Sequence, residues 1–361
     1  MFVAIRDLRF AKGRFALMGT VVTLITLLVV LLSGLTAGLG RGNTSAVTDL
    51  PADHLVFSAP ASGAKLAFTD SSITPSVQAG WSRVAGVQRA EPVTVAMTRA
   101  GVSGRTAGVA LFTVPAGSPL APGVGADQVV LSTKAADALD VAAGERIDVA
   151  GQSVTIAAVS GDDEFSHAPV IWAATTTVPL SGQKPGNATF LALTTDGSTF
   201  DSAAMDTADQ RLGTTTLTPA QSLSAIGSYT SENGSLQLMR ALLFAISALV
   251  IGAFFTVWTV QRSGEIAILK ALGASTGYLL KDALGQALAL LALGTVLGTA
   301  LAAGIGAGIT ALAGSAVPFV LNLPTLLLPA VVMIVLGLAG AAASLRTVTT
   351  VDPLTALGSA R

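Results

Sequence analysis

Four stretches of this chain carry no charged side chain over the length a bilayer demands. About 20 apolar residues, at roughly 1.5 Å each, cross the hydrocarbon core. Leu17–Leu39, Leu242–Val260, Ala283–Ala313 and Leu323–Leu345 all qualify. Between the first and second, the pattern changes to short apolar runs broken by turn residues. His54–Ser58, Val93–Thr98, Gly108–Val114, Gln128–Leu131, Arg146–Val149, Val154–Val159 and Val170–Ala174 read as strands. Pro75–Val84 and Thr133–Leu139 read as short helices. Pro-Ala-Gly at 115–117, Ala-Pro-Gly at 121–123 and Ala-Gly-Glu at 143–145 mark turns between them. The expected architecture is membrane α-helical: four transmembrane helices, with an α+β extracytoplasmic domain of two lobes inserted between the first and second.

The boundaries follow from the same pattern. Residues 1–15 have apolar positions at Phe2, Ile5, Leu8 and Phe10 with basic residues between, and are expected to form an amphipathic helix on the inner membrane surface. The spans are placed at 16–41, 236–261, 282–313 and 323–345. The inserted domain occupies 42–235, a cytosolic loop 262–281, an external loop 314–322 and a cytosolic tail 346–361. The first apolar run is too long for a cleaved signal and reads as an anchor.

Charge sets the orientation. Arg6, Arg9, Lys12 and Arg14 precede the first span; Arg262, Lys270 and Lys281 lie between the second and third; Arg346 and Arg361 follow the fourth. The 314–322 loop has neither Lys nor Arg. The positive-inside rule then puts both termini in the cytosol and the large domain outside. That domain holds 17 acidic and 9 basic residues, so it offers no basic face to nucleic acid. Only 11% of the whole chain is charged, about half the share in soluble domains, and there is no cysteine to form disulfides or thiolate metal sites.

Enzymatic signals are lacking. No GxSxG, HExxH or P-loop occurs, and the spans carry no polar catalytic groups. His54 and His167 stand 113 residues apart and read as ordinary surface histidines. Asp162-Asp163-Glu164 reads as a solvated turn. Gly34-x-x-x-Gly38, Gly294-x-x-x-Gly298 and Gly304-x-x-x-Gly308 permit close helix packing, either within one bundle or across a dimer seam.

The most informative segment is Arg262-Ser-Gly-Glu-Ile-Ala-Ile-Leu-Lys-Ala-Leu-Gly-Ala-Ser275. Ile266, Leu269 and Leu272 share a helical face, Glu265 and Lys270 lie elsewhere, and Gly273 is suited to end the helix at positive φ. A short amphipathic helix of this kind fits a groove on a partner. The segment resembles the RxxEIAxLKALGAS motif of ABC transporter permeases of the FtsX/MacB type. Val129–Val159 is similar to that family's external-domain pattern, and Asp352-Pro-Leu-Thr-Ala-Leu-Gly358 to its carboxy-terminal motif, with Gly358 in place of the usual Arg. The resemblance implies a homodimer docked on a separate ABC ATPase through Arg262, Glu265, Ile266, Leu269, Lys270, Leu272, Gly273 and the amino-terminal helix. ATP and Mg would sit on that partner; this chain lacks a Walker motif and is expected to be no enzyme, with no permanently bound cofactor.

Within that family, MFVAIRDLRFAKGRF and the compact size most resemble the haem-exporting permeases of Gram-positive bacteria. Haem needs an apolar slot, axial ligands and cations for its propionates. If the entry to the second span is helical, Glu232, Leu236, Met239 and Leu243 line one face at offsets 0, 4, 7 and 11. Glu232 and Met239 are the candidate iron ligands, with Tyr229, Arg240 and Arg41 nearby. Bland roles compete: Met239 as packing, Arg240 and Arg41 as interfacial anchors, Glu232 as a helix cap. The alternatives at the level of function are export of antimicrobial peptides, drugs, lipids or lipoproteins, or a scaffold that moves an external cell-wall hydrolase.

Overall fold

The computed structural model describes residues 12–178, 186–197, 199–261, 264, 268, 270, 272–313 and 317–349. Of the amphipathic helix expected over residues 1–15, residues 1–11 lie outside these, as does the tail motif from Asp352; residues 12–15 belong to the first long helix. The chain divides into two compact units, residues 39–234 and the remainder.

The second of these contains the bundle. Among the described residues, four helices are long and apolar enough to cross a membrane: α1 (Lys12–Thr48), α6 (Gly227–Gln261), α7 (Thr276–Ala313) and α8 (Leu323–Thr349). Their shared core includes Val22, Val29, Ile251, Phe255, Leu291 and Met333. Glycines let the backbones meet. A Cβ at Gly294 would lie 2.8 Å from Val22 Cγ1, and one at Gly298 2.6 Å from the Thr23 carbonyl oxygen, so α7 is pressed directly onto α1. Gly340 of α8 faces Gly252 of α6. Two of the three Gly-x-x-x-Gly pairs thus serve packing within one chain. Among the described residues, nothing lies within 4 Å of a Cβ at Gly304 or Gly308.

Helix ends differ from expectation. Helix α1 runs to Thr48 rather than 41, and α6 begins at Gly227 rather than 236. The expected limits marked where hydropathy falls, not where helical hydrogen bonding stops. Thr44 and Thr48 donate their hydroxyls back to the carbonyls of Gly40 and Thr44, which keeps a polar segment helical. Pro51 then bars Leu50 from helical geometry.

The inserted domain contains β1 (His54–Ser58), α2 (Pro75–Trp81), β2 (Val87–Val102), β3 (Arg105–Val114), β4 (Gln128–Leu131), α3 (Thr133–Leu139), β5 (Arg146–Val149), β6 (Gln152–Val159), β7 (Glu164–Phe165), β8 (Ala168–Ala174), β9 (Phe190–Thr195), α4 (Ser202–Leu212), β10 (Thr214–Leu217) and α5 (Pro219–Ser222). Strand β2 is long enough to serve two sheets. Its first half pairs with β9 and extends the order β10–β1–β9–β2; its second half pairs with both β3 and β5. The path β2–β3–β8–β4–β6–β5 returns to β2, so the second lobe closes on itself and leaves no free edge. Leu111, Leu131, Leu139, Ile156 and Ile171 fill it. The first lobe buries Trp81, Val56, Leu191 and Leu193 beneath α2 and α4. The two-lobed α+β domain agrees with the reading from pattern. Strands β9 and β10 and helix α4 were not foreseen, although Asp201 as N-cap and Gly213 at φ +65 are standard helix punctuation.

Candidate functional site

The site begins with a turn. Strands β7 and β8 are joined by Ser166 and His167, at φ +50 and +61. Two left-handed central residues make a primed hairpin turn, which favours Asn-Gly; Ser-His costs about 1 kcal/mol or more per residue. Hydrogen bonds to the end of α1 hold it. The Ser166 and His167 amides donate to the carbonyls of Asn43 (3.1 Å) and Gly42 (2.9 Å), and the Glu164 amide donates to Ser45 Oγ (2.8 Å). The His167 ring lies over Gly42, where a Cβ would stand 3.1 Å from Nδ1.

That placement gathers three polar side chains from distant parts of the sequence. His167 Nε2 lies 2.7 Å from Glu232 Oε2. Asn43 Nδ2 lies 2.9 Å from the same oxygen and 2.9 Å from His167 Nε2. Ser228, four residues before Glu232 on α6, donates to Asn43 Oδ1 at 2.7 Å, which turns the amide nitrogen toward the carboxylate. With its proton on Nε2, the imidazole and the Asn43 amide both donate to Oε2. Side chains of His167 and Glu232 remain 38% and 41% exposed, so the cluster is reachable by a ligand. Nothing in the sequence links Asn43 or His167 to Glu232; the only local signal was a histidine beside an acidic run.

The other candidates are placed as follows. Glu232 is five residues inside α6 and does not cap it. Met239 and Arg240 lie on the same helix, Met239 48% exposed. Tyr229 packs against the core of the inserted domain. Arg41 forms an ion pair with Asp49 at 2.9 Å. Of the set, only Glu232 joins the Asn43–His167 cluster.

The acidic run is not a solvated turn, because two of its members are built into the fold. Glu164 pairs with Lys134 and is 14% exposed. Asp163 is half-buried and accepts from Trp172 Nε1 at 3.1 Å. Burial pushes the Asp163 carboxyl above its ordinary value, against the Trp172 hydrogen bond, with nearby Asp49 adding to the rise. A raised carboxyl stabilises the fold below the ordinary carboxylate value, and that contribution is lost as pH rises through the folded-state value. Asp163→Asn keeps an acceptor for Trp172 without the charge. Its melting temperature relative to wild type is therefore expected to climb between pH 4 and pH 7 in full-length protein; a constant difference would show that Asp163 does not titrate in this way.

In the loop between α6 and α7, Arg262, Glu265, Ile266 and Leu269 lie outside the described residues. The Leu272 and Gly273 amides donate to the carbonyls of Ile268 and Lys270, and Gly273 adopts φ +93. Ile268 and Leu272 are 60% and 79% exposed, so this turn presents apolar side chains rather than burying them.

The described residues thus combine helices long and apolar enough to cross a membrane, an α+β domain inserted after the first of them and an exposed apolar turn after the second. Residues 238–353 match the family described as FtsX-like permease C-terminal. About a third of the chain, at its carboxy-terminal side, is thus similar to FtsX-like permeases. It is 26% identical over 373 residues to a proposed hemin transport system permease protein, HrtB, of Staphylococcus haemolyticus, with 99% of each chain covered. It is 31% identical over 146 residues to the corresponding protein of Staphylococcus epidermidis, covering 40% of this chain and 41% of that one. Among solved structures it is similar to the extracellular domain of the ABC-type transporter YknZ from Gram-positive bacteria (TM-score 0.34, 15% identity, 45% of this chain and 97% of that one). It is also similar to the periplasmic region of MacB from Actinobacillus actinomycetemcomitans (TM-score 0.37, 12% identity, 51% and 92%).

Proposed function

We propose that this permease exports haem, or a closely related iron porphyrin, using motion supplied by a separate ABC ATPase. Glu232 carries the reading: a partly exposed carboxylate on α6, able to ligate ferric iron, in a chain similar over its full length to a hemin transport permease. Met239, seven residues further along the helix, supplies a thioether on the same helical face. The large domain and the Glu232 end of α6 face outward, and both termini face the cytosol, because the basic residues collect at the opposite ends of the spans. The apolar turn at Ile268 and Leu272 is then cytosolic and docks the ATPase, which holds ATP and Mg. The working unit is a homodimer that takes its flat, amphipathic substrate from the bilayer.

The test is a hemin titration of the purified full-length protein, following the Soret band. Wild type is expected to give a saturable band shift. Glu232→Ala should weaken binding more than tenfold, with Met239→Ala weaker than wild type. A wild type with no saturable shift would end the haem reading and move the weight to export of peptides, drugs or lipids.

A further inference from the structure

The Glu232 carboxylate is anchored through one oxygen. Oε2 receives both Asn43 Nδ2 and His167 Nε2, whereas no described residue bonds Oε1. A carboxylate fixed at one oxygen by two donors presents its other oxygen in a set direction, as in metal sites whose ligating carboxylates are held by neighbouring hydrogen bonds. The anchors are themselves immobilised. Ser228 orients the Asn43 amide, and two backbone bonds from the β7–β8 turn clamp His167 over Gly42. His167 is poorly placed to be a ligand itself, since Nε2 is turned to the carboxylate and Nδ1 stands where a Cβ on Gly42 would come within 3.1 Å.

We propose that His167, with Asn43, is a positioning residue: it holds Glu232 so that Oε1 is presented to the iron of the substrate. This rests on the haem reading of Glu232. The strained turn supports it. Glycine at 167 would relieve the left-handed backbone but would remove the ring that reaches Glu232. Strain kept where a relaxed alternative exists marks a side chain with a task.

Full-length wild type, His167→Ala, His167→Gln, His167→Gly and Glu232→Ala are titrated with hemin, with Soret position and thermal melting recorded for each. His167→Ala is expected to raise the hemin Kd about tenfold to a hundredfold and to move the Soret band. His167→Gln, whose side-chain amide can donate to the same oxygen, should recover most of the affinity. His167→Gly should lose as much affinity as His167→Ala while melting no lower than wild type, separating the hydrogen bond from the strain of the turn. If Glu232→Ala loses hemin but His167→Ala binds as wild type with an unmoved band, the positioning role is wrong and the haem reading stands. Failure of His167→Gln to rescue would likewise overturn it. If wild type binds no hemin, or Glu232→Ala binds as wild type does, the haem reading at Glu232 falls and this inference falls with it.

Discussion

Gly38→Ala is expected to cost about 3 kcal/mol or more and to remove most of the folded protein from a detergent extract. A Cβ at position 38 would overlap the carbonyl of Pro318, in the segment between α7 and α8. Backbone cannot swing aside as a side chain can, so the cost should reach or exceed the upper end of ordinary overpacking, about 3 kcal/mol. One turn earlier, a Cβ at Gly34 would lie 2.6 Å from Phe319 Cζ, and the Val320 amide donates to the Gly34 carbonyl at 3.1 Å. The 317–321 segment is therefore seated on α1 by both glycines of the pair. Gly308→Ala is the control. No described residue lies within 4 Å of its Cβ, and alanine favours a helix over glycine by up to about 1 kcal/mol. Thermal melts by size-exclusion should show Gly38→Ala lost and Gly308→Ala at or above wild type. A Gly38→Ala protein that melts with wild type would refute the close approach.

The second large effect concerns the inserted domain. Trp81 is fully buried at the end of α2, and its Nε1 donates to Thr214 Oγ1 at 3.2 Å. Thr214 Oγ1 in turn donates to Asp209 at 2.6 Å, and Asp209 also takes the amide and hydroxyl of Thr216 at 2.9 Å each. One indole thus fills the core of the first lobe and ends a polar chain that ties α4 to β10. Trp81→Ala is expected to destabilise the domain by about 3–5 kcal/mol, the range for emptying a large aromatic site. Trp81→Phe should cost less, because the ring is largely kept and only the Nε1 bond is lost. Chemical unfolding of the full-length protein would check the order; equal losses for both variants would mean that packing is not the main term.

Much of this protein is legible without coordinates, because lipid imposes one demand at a time. A span needs length and the absence of charge, and Leu17–Leu39, Leu242–Val260, Ala283–Ala313 and Leu323–Leu345 satisfy both within helices α1, α6, α7 and α8. Strands such as His54–Ser58, Gln128–Leu131 and Arg146–Val149 were bounded to the residue by their flanking turn signals. Local punctuation served equally well at Gly273, which adopts the positive φ expected of it. Beyond β9 and α4, local signals missed the Thr-rich strand Thr214–Leu217, an edge defined by its partner rather than by its own pattern, and the helical extensions at 42–48 and 227–235. Hydropathy there reports the solvent around the helix and is silent on whether the helix continues.

The cluster at Glu232 marks the limit of that reasoning. Helical periodicity placed Glu232 and Met239 on one face from sequence, since residues a few turns apart on one helix have a fixed relation. His167 and Asn43 reach Glu232 across 65 and 189 residues of chain, and only the closure of the domain brings them within 3 Å. Taken alone, the sequence determined the spans, the inserted α+β domain and the likeness to FtsX-like permeases, each of which depends on composition and short-range order. The tertiary structure decided which glycines pack within the chain, that Tyr229 and Arg41 are engaged elsewhere, and that a histidine read as ordinary surface is bonded to the candidate ligand. Those outcomes depend on side chains meeting over long separations, which no periodicity in a single sequence records.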